Sequence, residues 1–290
     1  MTQIRLLRRQ PVLFTALKAL CRSSFRGGDR LFALVEKAGL FQGGVLRYPI
    51  DATHAVHVPI SRRWDRLDLI EYEKQLISIV AAEAHSLTGE ITLVDCGADV
   101  GLFAALLLAR IGRITEVAAF EPSDETFPLL ERTLAEQPCR TRALKVAVGN
   151  FIGSGELRFP EYDPYETGRY VIRVEHGGFP VTTLDAVLTE PLGNAILKID
   201  VEGAELAVIE GARQTIHRAR DLIVTVEAHP KVALRSGVDP TVVLSALGEI
   251  RPFDFVVAEA PGRPLDLRRR FFDQFDATGV YNVVCRSRPR

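Results

Sequence analysis

From Ile91 onward, short apolar runs alternate with segments of helical spacing, and that alternation restricts the chain to an α/β sheet carrying helices on both faces. Parallel strands joined by crossover helices are buried on both sides, so their runs read as almost wholly apolar. The pattern predicts strands at 91–96, 114–120, 143–148, 195–200, 221–227, 253–259 and 280–286. It predicts helices at about 67–86, 100–111, 123–136, 183–190, 204–218 and 239–249. Residues 149–180, between the third and fourth strands, are too many for a plain crossover. Strands are expected there at 156–159 and 170–174, either as a substrate-facing flap or as a hairpin that extends the sheet.

The first strand feeds the turn Leu-Val-Asp-Cys-Gly-Ala-Asp-Val-Gly, residues 93–101. Gly97 and Gly101 would let backbone approach a ligand closely, and Asp95 and Asp99 offer carboxylates to an ammonium or to hydroxyls. Glu121 ends the second strand just before Pro122, where an acidic group is placed to take two ribose hydroxyls. The glycine spacing is Gly-x-x-x-Gly, without the middle glycine that a pyrophosphate needs. Two aspartates would also repel phosphates and attract a cation. The site therefore suits S-adenosylmethionine better than a dinucleotide, which disfavours a nicotinamide oxidoreductase.

The balance of 36 basic against 37 acidic residues gives a net charge of −1, so nucleic acid is not an expected partner. Cys21, Cys96, Cys139 and Cys285 lack the short paired spacing of a zinc site or a disulfide framework, and a reducing cytoplasm is expected. No apolar run approaches the roughly 18 to 20 residues of a membrane span. Residues 1–66 read as a basic helical and loop extension, and 67–290 as the main domain. Within 1–30, Arg5, Arg8, Arg9, Lys18, Arg22, Arg26 and Arg30 face a single acid, Asp29, and interleave with apolar residues. Such a segment packs on the main domain or on a second copy in a homodimer, or it touches the inner face of a membrane or a lipid-linked substrate. His54 and His57 read as surface or interface histidines rather than metal ligands.

A second constellation spans Ile196 to Ala212. A buried strand ends in Asp200, Glu202 lies in the turn, and Glu205 opens the next helix, where the dipole favours negative charge. Lys198, two residues before Asp200, shares its face and needs a partner, for which Glu227 at the end of the neighbouring strand is the candidate. Glu202 and Glu205 are expected to fix the turn.

In order and spacing, these segments resemble the FkbM methyltransferase family. The resemblance runs over about 70–230 and rests on Val94 to Gly101, Phe120-Glu121-Pro122, Ala147-Val148-Gly149, Thr182-Thr183-Leu184-Asp185, Leu197 to Gly211 and Val226-Glu227-Ala228-His229. It implies a class I Rossmann-like methyltransferase fold: a seven-stranded, mostly parallel sheet whose last strand is antiparallel. It further implies methyl transfer from S-adenosylmethionine to a hydroxyl on a sugar, glycolipid or natural product, with the Ala147-Val148 turn at the adenine. The family usually has asparagine where this chain has Asp99.

Deprotonating an alcohol acceptor at neutral pH calls for a base or a metal as well as positioning. In one scheme His229 or Asp200 is the base. In another, Asp200, Glu227 and His229 hold a divalent cation. In a third, Glu227 merely satisfies Lys198 and His229 caps the strand. A non-catalytic cofactor-binding scaffold is the competing function.

Overall fold

The computed structural model describes residues 5–7, 12–22, 28–40, 43–60, 69–158 and 170–289. Seven strands form the central sheet: β1 (Ile91–Cys96), β2 (Ile114–Phe120), β3 (Arg140–Leu144), β4 (Asn194–Ile199), β5 (Asp221–Ala228), β6 (Phe253–Val257) and β7 (Tyr281–Ser287). Their order is β6-β7-β5-β4-β1-β2-β3, parallel throughout except for β7, which runs antiparallel to both β5 and β6. The expected architecture is therefore present. The sequence reverses direction between β1 and β4, and in open α/β sheets ligands settle outside the carboxyl ends of strands at such a point.

Two apolar clusters hold the layers. On one face Leu93, Val117, Ala119 and Ile196 meet Leu76, Ile77 and Val80 of helix Lys74–His85 and the fully apolar helix Leu102–Leu108. On the other, Val94, Ala118, Leu197 and Val224 meet Val208, Ile216, Val243 and Leu244 from helices Glu205–Glu210, Arg213–Arg218 and Pro240–Ile250. The described part of the N-terminal extension joins the first cluster through Phe14, Leu17, Val45, Leu46 and Val56. It forms helices Val12–Arg22 and Gly28–Lys37 and a small sheet of Arg5–Leu7, Gly44–Pro49 and Ala55–Pro59. Of the two expected histidines, on the surface or at an interface, His57 is buried within the chain, with Nε2 3.3 Å from Glu136, while His54 pairs with Asp51. No helix among the described residues is long and apolar enough to cross a membrane.

Several boundaries differ from expectation for local reasons. The run 143–148 divides, because β3 ends at Leu144 and Ala147–Val148 pairs instead with Phe179–Thr182. That short strand opens a separate four-stranded sheet with Gly153–Arg158 and Tyr170–Val174, so the insertion does not extend the main sheet. Residues 159–169 lie outside the described residues. The helix expected over 204–218 breaks at Gly211, where a Cβ would stand 2.0 Å from the Gly149 carbonyl oxygen. Close backbone approach there requires glycine. Asp185, from the Thr-Thr-Leu-Asp segment, then starts the second half by accepting from the Gln214 and Thr215 amides at 3.0 and 2.7 Å. The helix expected over 67–86 begins at Lys74, and the described residues before it, Leu69 to Glu73, form turns. A further helix, Pro230–Ser236, follows β5.

Candidate active site

The glycine turn is built on alternating left-handed residues, Gly97 (φ 79°), Asp99 (φ 49°) and Gly101 (φ 84°). A Cβ on Gly97 would lie 1.8 Å from the carbonyl oxygen of Asp200, so the β1 and β4 turns touch backbone to backbone. Left-handed backbone suits an aspartate at position 99, since Asn and Asp tolerate that region better than other side chains. The amides of Gly97 and Ala98 both donate to the Phe120 carbonyl at 3.0 Å. Glu121 stands beside them: its Oε2 accepts from the Asp99 amide and its Oε1 from the Ser123 amide, each at 2.9 Å. Burial, then the Asp99 charge, pushes Glu121 up to about 6 despite these bonds. Ala147 and Val148 are buried in the second sheet just beyond β3, rather than in a turn.

Asp95, Lys198 and Thr225 are register partners across β1, β4 and β5, so they share one face with Asp200 and Glu227, two residues further on. Lys198 donates to Asp200 Oδ2 at 2.8 Å and lies 3.9 Å from Asp95 Oδ1, with its ammonium 5.3 Å from the Phe103 ring centre. Its ion-pair partner is thus Asp200 and not the expected Glu227. Burial works against the Lys198 charge, but Asp200, Asp95 and Glu73 outweigh it and hold the ammonium well above its ordinary range.

Asp200, Glu202 and Glu227 converge, offering oxygens within 4.8 Å of one another. Burial first, then Asp200 and Glu202, drives the Glu227 carboxyl well above the usual range. Glu202, on left-handed backbone at φ 57°, is raised to about 8 by burial and by Asp200. Arg235 reaches its carbonyl at 2.7 Å and its carboxylate at 3.5 Å. Glu205 does fix the turn, accepting from the Gly203 amide at 2.8 Å. His229 is not in the convergent set. Its Nδ1 accepts from the Lys231 amide at 3.1 Å and caps helix Pro230–Ser236, so Glu202 replaces it as the third candidate cation ligand.

Two residues that the sequence reading passed over complete the site. Tyr72 and Glu73 were absorbed into a predicted helix, yet both are largely buried and face Lys198 and Asp200. Burial lifts Glu73 to about 7, against the pull of Lys198. The signal in the sequence was the polar Glu-Tyr-Glu run, residues 71–73, directly ahead of the apolar helix face. Cys96 is core, its thiol pushed up by burial.

Comparison with known proteins bears on the family. Residues 95–253 match the model of the methyltransferase FkbM domain. The hexuronic acid methyltransferase AglP of Haloferax volcanii is 25% identical over 183 residues, 62% of this chain and 69% of that protein. Among solved structures, a methyltransferase FkbM from Methylobacillus flagellatus KT aligns with TM-score 0.42 and 17% identity, over 69% of this chain and 45% of the other. This chain thus spans less than half the length of that relative. An S-adenosylmethionine-dependent O-methyltransferase from Thermotoga maritima aligns with TM-score 0.40 and 15% identity, over 81% and 74%. With a family match across more than half its length, the chain belongs to the FkbM family of S-adenosylmethionine-dependent methyltransferases.

Proposed function

We propose that the protein methylates a hydroxyl on a sugar or glycoconjugate acceptor seated over the carboxyl ends of β4 and β5. The observation that carries this is the convergence of Asp200, Glu202 and Glu227 beside the glycine turn. Carboxyl oxygens accept hydrogen bonds from hydroxyls, which matches the donor-rich face of a polyol. The hexuronic acid methyltransferase relative supports a sugar acceptor.

The residues present fit S-adenosylmethionine. Both Asp95 oxygens are buried without a partner, directly ahead of the left-handed turn at Gly97 and Gly101. Asp95, Gly97, Asp99 and Gly101 would hold the methionine end, Glu121 the ribose hydroxyls, and Ala147 and Val148 would border the adenine. When bound, the cofactor supplies a methyl group made electrophilic by its positively charged sulfur. The chain positions the acceptor oxygen in line and removes its proton. Asp200, fixed by Lys198, orients the hydroxyl. Glu227, with no cation at ion-pair distance among the described residues, takes the proton. Burial first, and then crowding by Asp200 and Glu202, raises its affinity for that proton. His229, expected as a base, holds the β5 exit through its cap on the Lys231 amide.

The same convergence favours a second reading, in which Asp200, Glu202 and Glu227 hold a divalent cation; an all-oxygen set suits magnesium or manganese. A cation would also offset repulsion between this face and an acidic sugar. The basic residues of 1–30, with Val12 and Leu13 exposed on helix Val12–Arg22, support presentation of a lipid-linked acceptor at a membrane surface.

Transfer of labelled methyl from S-adenosylmethionine to a panel of hexose and hexuronate glycosides, with and without EDTA, tests the proposal. A labelled methyl ether, lost about a hundredfold or more in Asp200→Asn, is expected. Activity that survives EDTA selects the base, and activity abolished by it selects the cation. Folded protein that binds cofactor and labels no sugar hydroxyl would contradict the proposal.

A further inference from the structure

We propose that Glu73, together with Asp95, holds the ammonium group at the methionine end of the cofactor. This rests on the reading that the Gly97–Gly101 turn binds S-adenosylmethionine, and it adds a residue from outside the sheet to that site.

Glu73 precedes helix Lys74–His85 with φ 45° and ψ 35°, a left-handed conformation that a residue carrying a Cβ adopts at a cost. The side chain does not recover this cost by capping, since it makes no cap hydrogen bond. Its carboxyl group instead lies over the sheet face beside Lys198, Asp200 and Asp95, with the Tyr72 hydroxyl hydrogen-bonded to it. Glu73 Oε2 and both oxygens of Asp95 are buried without a hydrogen-bond partner. Asp95 is completely inaccessible, so water does not satisfy it from bulk.

Acceptors therefore outnumber donors at this spot. The Lys198 ammonium lies closest to Asp200, at 2.8 Å, and stays 3.9 Å from Asp95, beyond hydrogen-bond reach. A buried carboxylate left unpaired is costly. What would relieve it is a compact cation with several N–H donors, which describes the α-ammonium of an amino acid. The turn that follows Asp95 is held in left-handed backbone by Gly97 and Gly101, which pack directly on the Asp200 carbonyl and on Leu130 and Thr133. Adenosine offers no such cation, so the contact belongs to the methionine end and reads that part of the cofactor alone.

The test is calorimetric titration of full-length wild type, Glu73→Gln and Glu73→Gly with two probes. S-adenosylhomocysteine carries the ammonium; methylthioadenosine keeps the adenosine and thioether but lacks the amino-acid end. Glu73→Gln is expected to weaken the first by about tenfold and to leave the second within about twofold, as loss of a charge-assisted bond requires. Glu73→Gly suits the left-handed backbone, so it should melt no lower than wild type and still lose S-adenosylhomocysteine affinity. Unchanged affinity for both probes in Glu73→Gln overturns the proposal. So does a Glu73→Gly variant that melts lower and keeps its S-adenosylhomocysteine affinity, which marks Glu73 as structural. Wild type that binds the two probes equally well removes the ammonium contact and leaves the cofactor site standing. Wild type that binds neither removes both.

Discussion

The two halves of the carboxyl edge are built on opposite principles. Around β1 and β2 the polar groups are paired: Glu121 has an amide on each oxygen, and the Gly97 and Ala98 amides close on Phe120. On the face that β4 and β5 share with Asp95 of β1 they are not: Asp95 and Glu73 carry orphaned oxygens, and Glu227 is crowded by Asp200 and Glu202. The paired half satisfies its polar groups from within the chain. The unpaired half stores unfavourable charge that a bound cation or donor would relieve, and binding sites gather affinity in this way at the expense of stability.

The contrast can be broken most severely at Gly97. Alanine there would need φ 79° and a Cβ 1.8 Å from the Asp200 carbonyl, which joins the two halves. We expect a loss of more than about 3 kcal/mol in urea unfolding. A loss under about 1 kcal/mol would show that the halves are not locked together.

Lys198→Met should come next, at about 3 kcal/mol near pH 8, because Asp200 and Asp95 then face each other with no ammonium between them. The deficit should shrink at acidic pH as the carboxylates protonate. A pH-independent loss would indicate that packing against Phe103, rather than charge, is what Lys198 supplies.

Smaller still is the effect at Glu202. Its carboxyl is raised from 4.5 to about 8 in the folded chain by burial and Asp200. The folded state thus binds the proton more tightly than the unfolded state does. The stability this provides is complete below about 4.5 and is lost as pH rises through about 8. The unfolding free energy of the unliganded protein should accordingly fall between pH 5 and pH 9, by a few kcal/mol at most from this group. Glu202→Gln should flatten that slope. An unaltered slope would show that Arg235 neutralises Glu202 in solution.

The paired half was legible in the sequence because its signals are local. A strand, a glycine spacing and an acid at the next strand tip are read from residues 91–121 alone, and β1, β2 and the turn fall where periodicity placed them. The unpaired half was legible only in part. Strand spacing put Lys198, Asp200 and Glu227 on one face, but the choice between Asp200 and Glu227 as partner depends on side-chain reach across the sheet, which periodicity does not encode. Of the roles open to His229, base, cation ligand or cap, the structure has the cap, on a helix that begins at Pro230. Tyr72 and Glu73 were missed because their part in the site comes from one left-handed residue ahead of a helix whose apolar face resembles any other. Gly211 lies inside the helix expected over 204–218, and its contact with Gly149, 62 residues away in sequence, is not encoded in local periodicity.

The central claim is that the paired half binds S-adenosylmethionine through Glu121. Calorimetric titration of purified protein with S-adenosylhomocysteine, run on wild type and Glu121→Ala, tests it most directly. The account requires binding to wild type at about micromolar affinity, weakened at least about tenfold in the variant, equivalent to about 1.4 kcal/mol at the ribose contact. Failure of folded wild type to bind, or equal affinity in the two proteins, would contradict it.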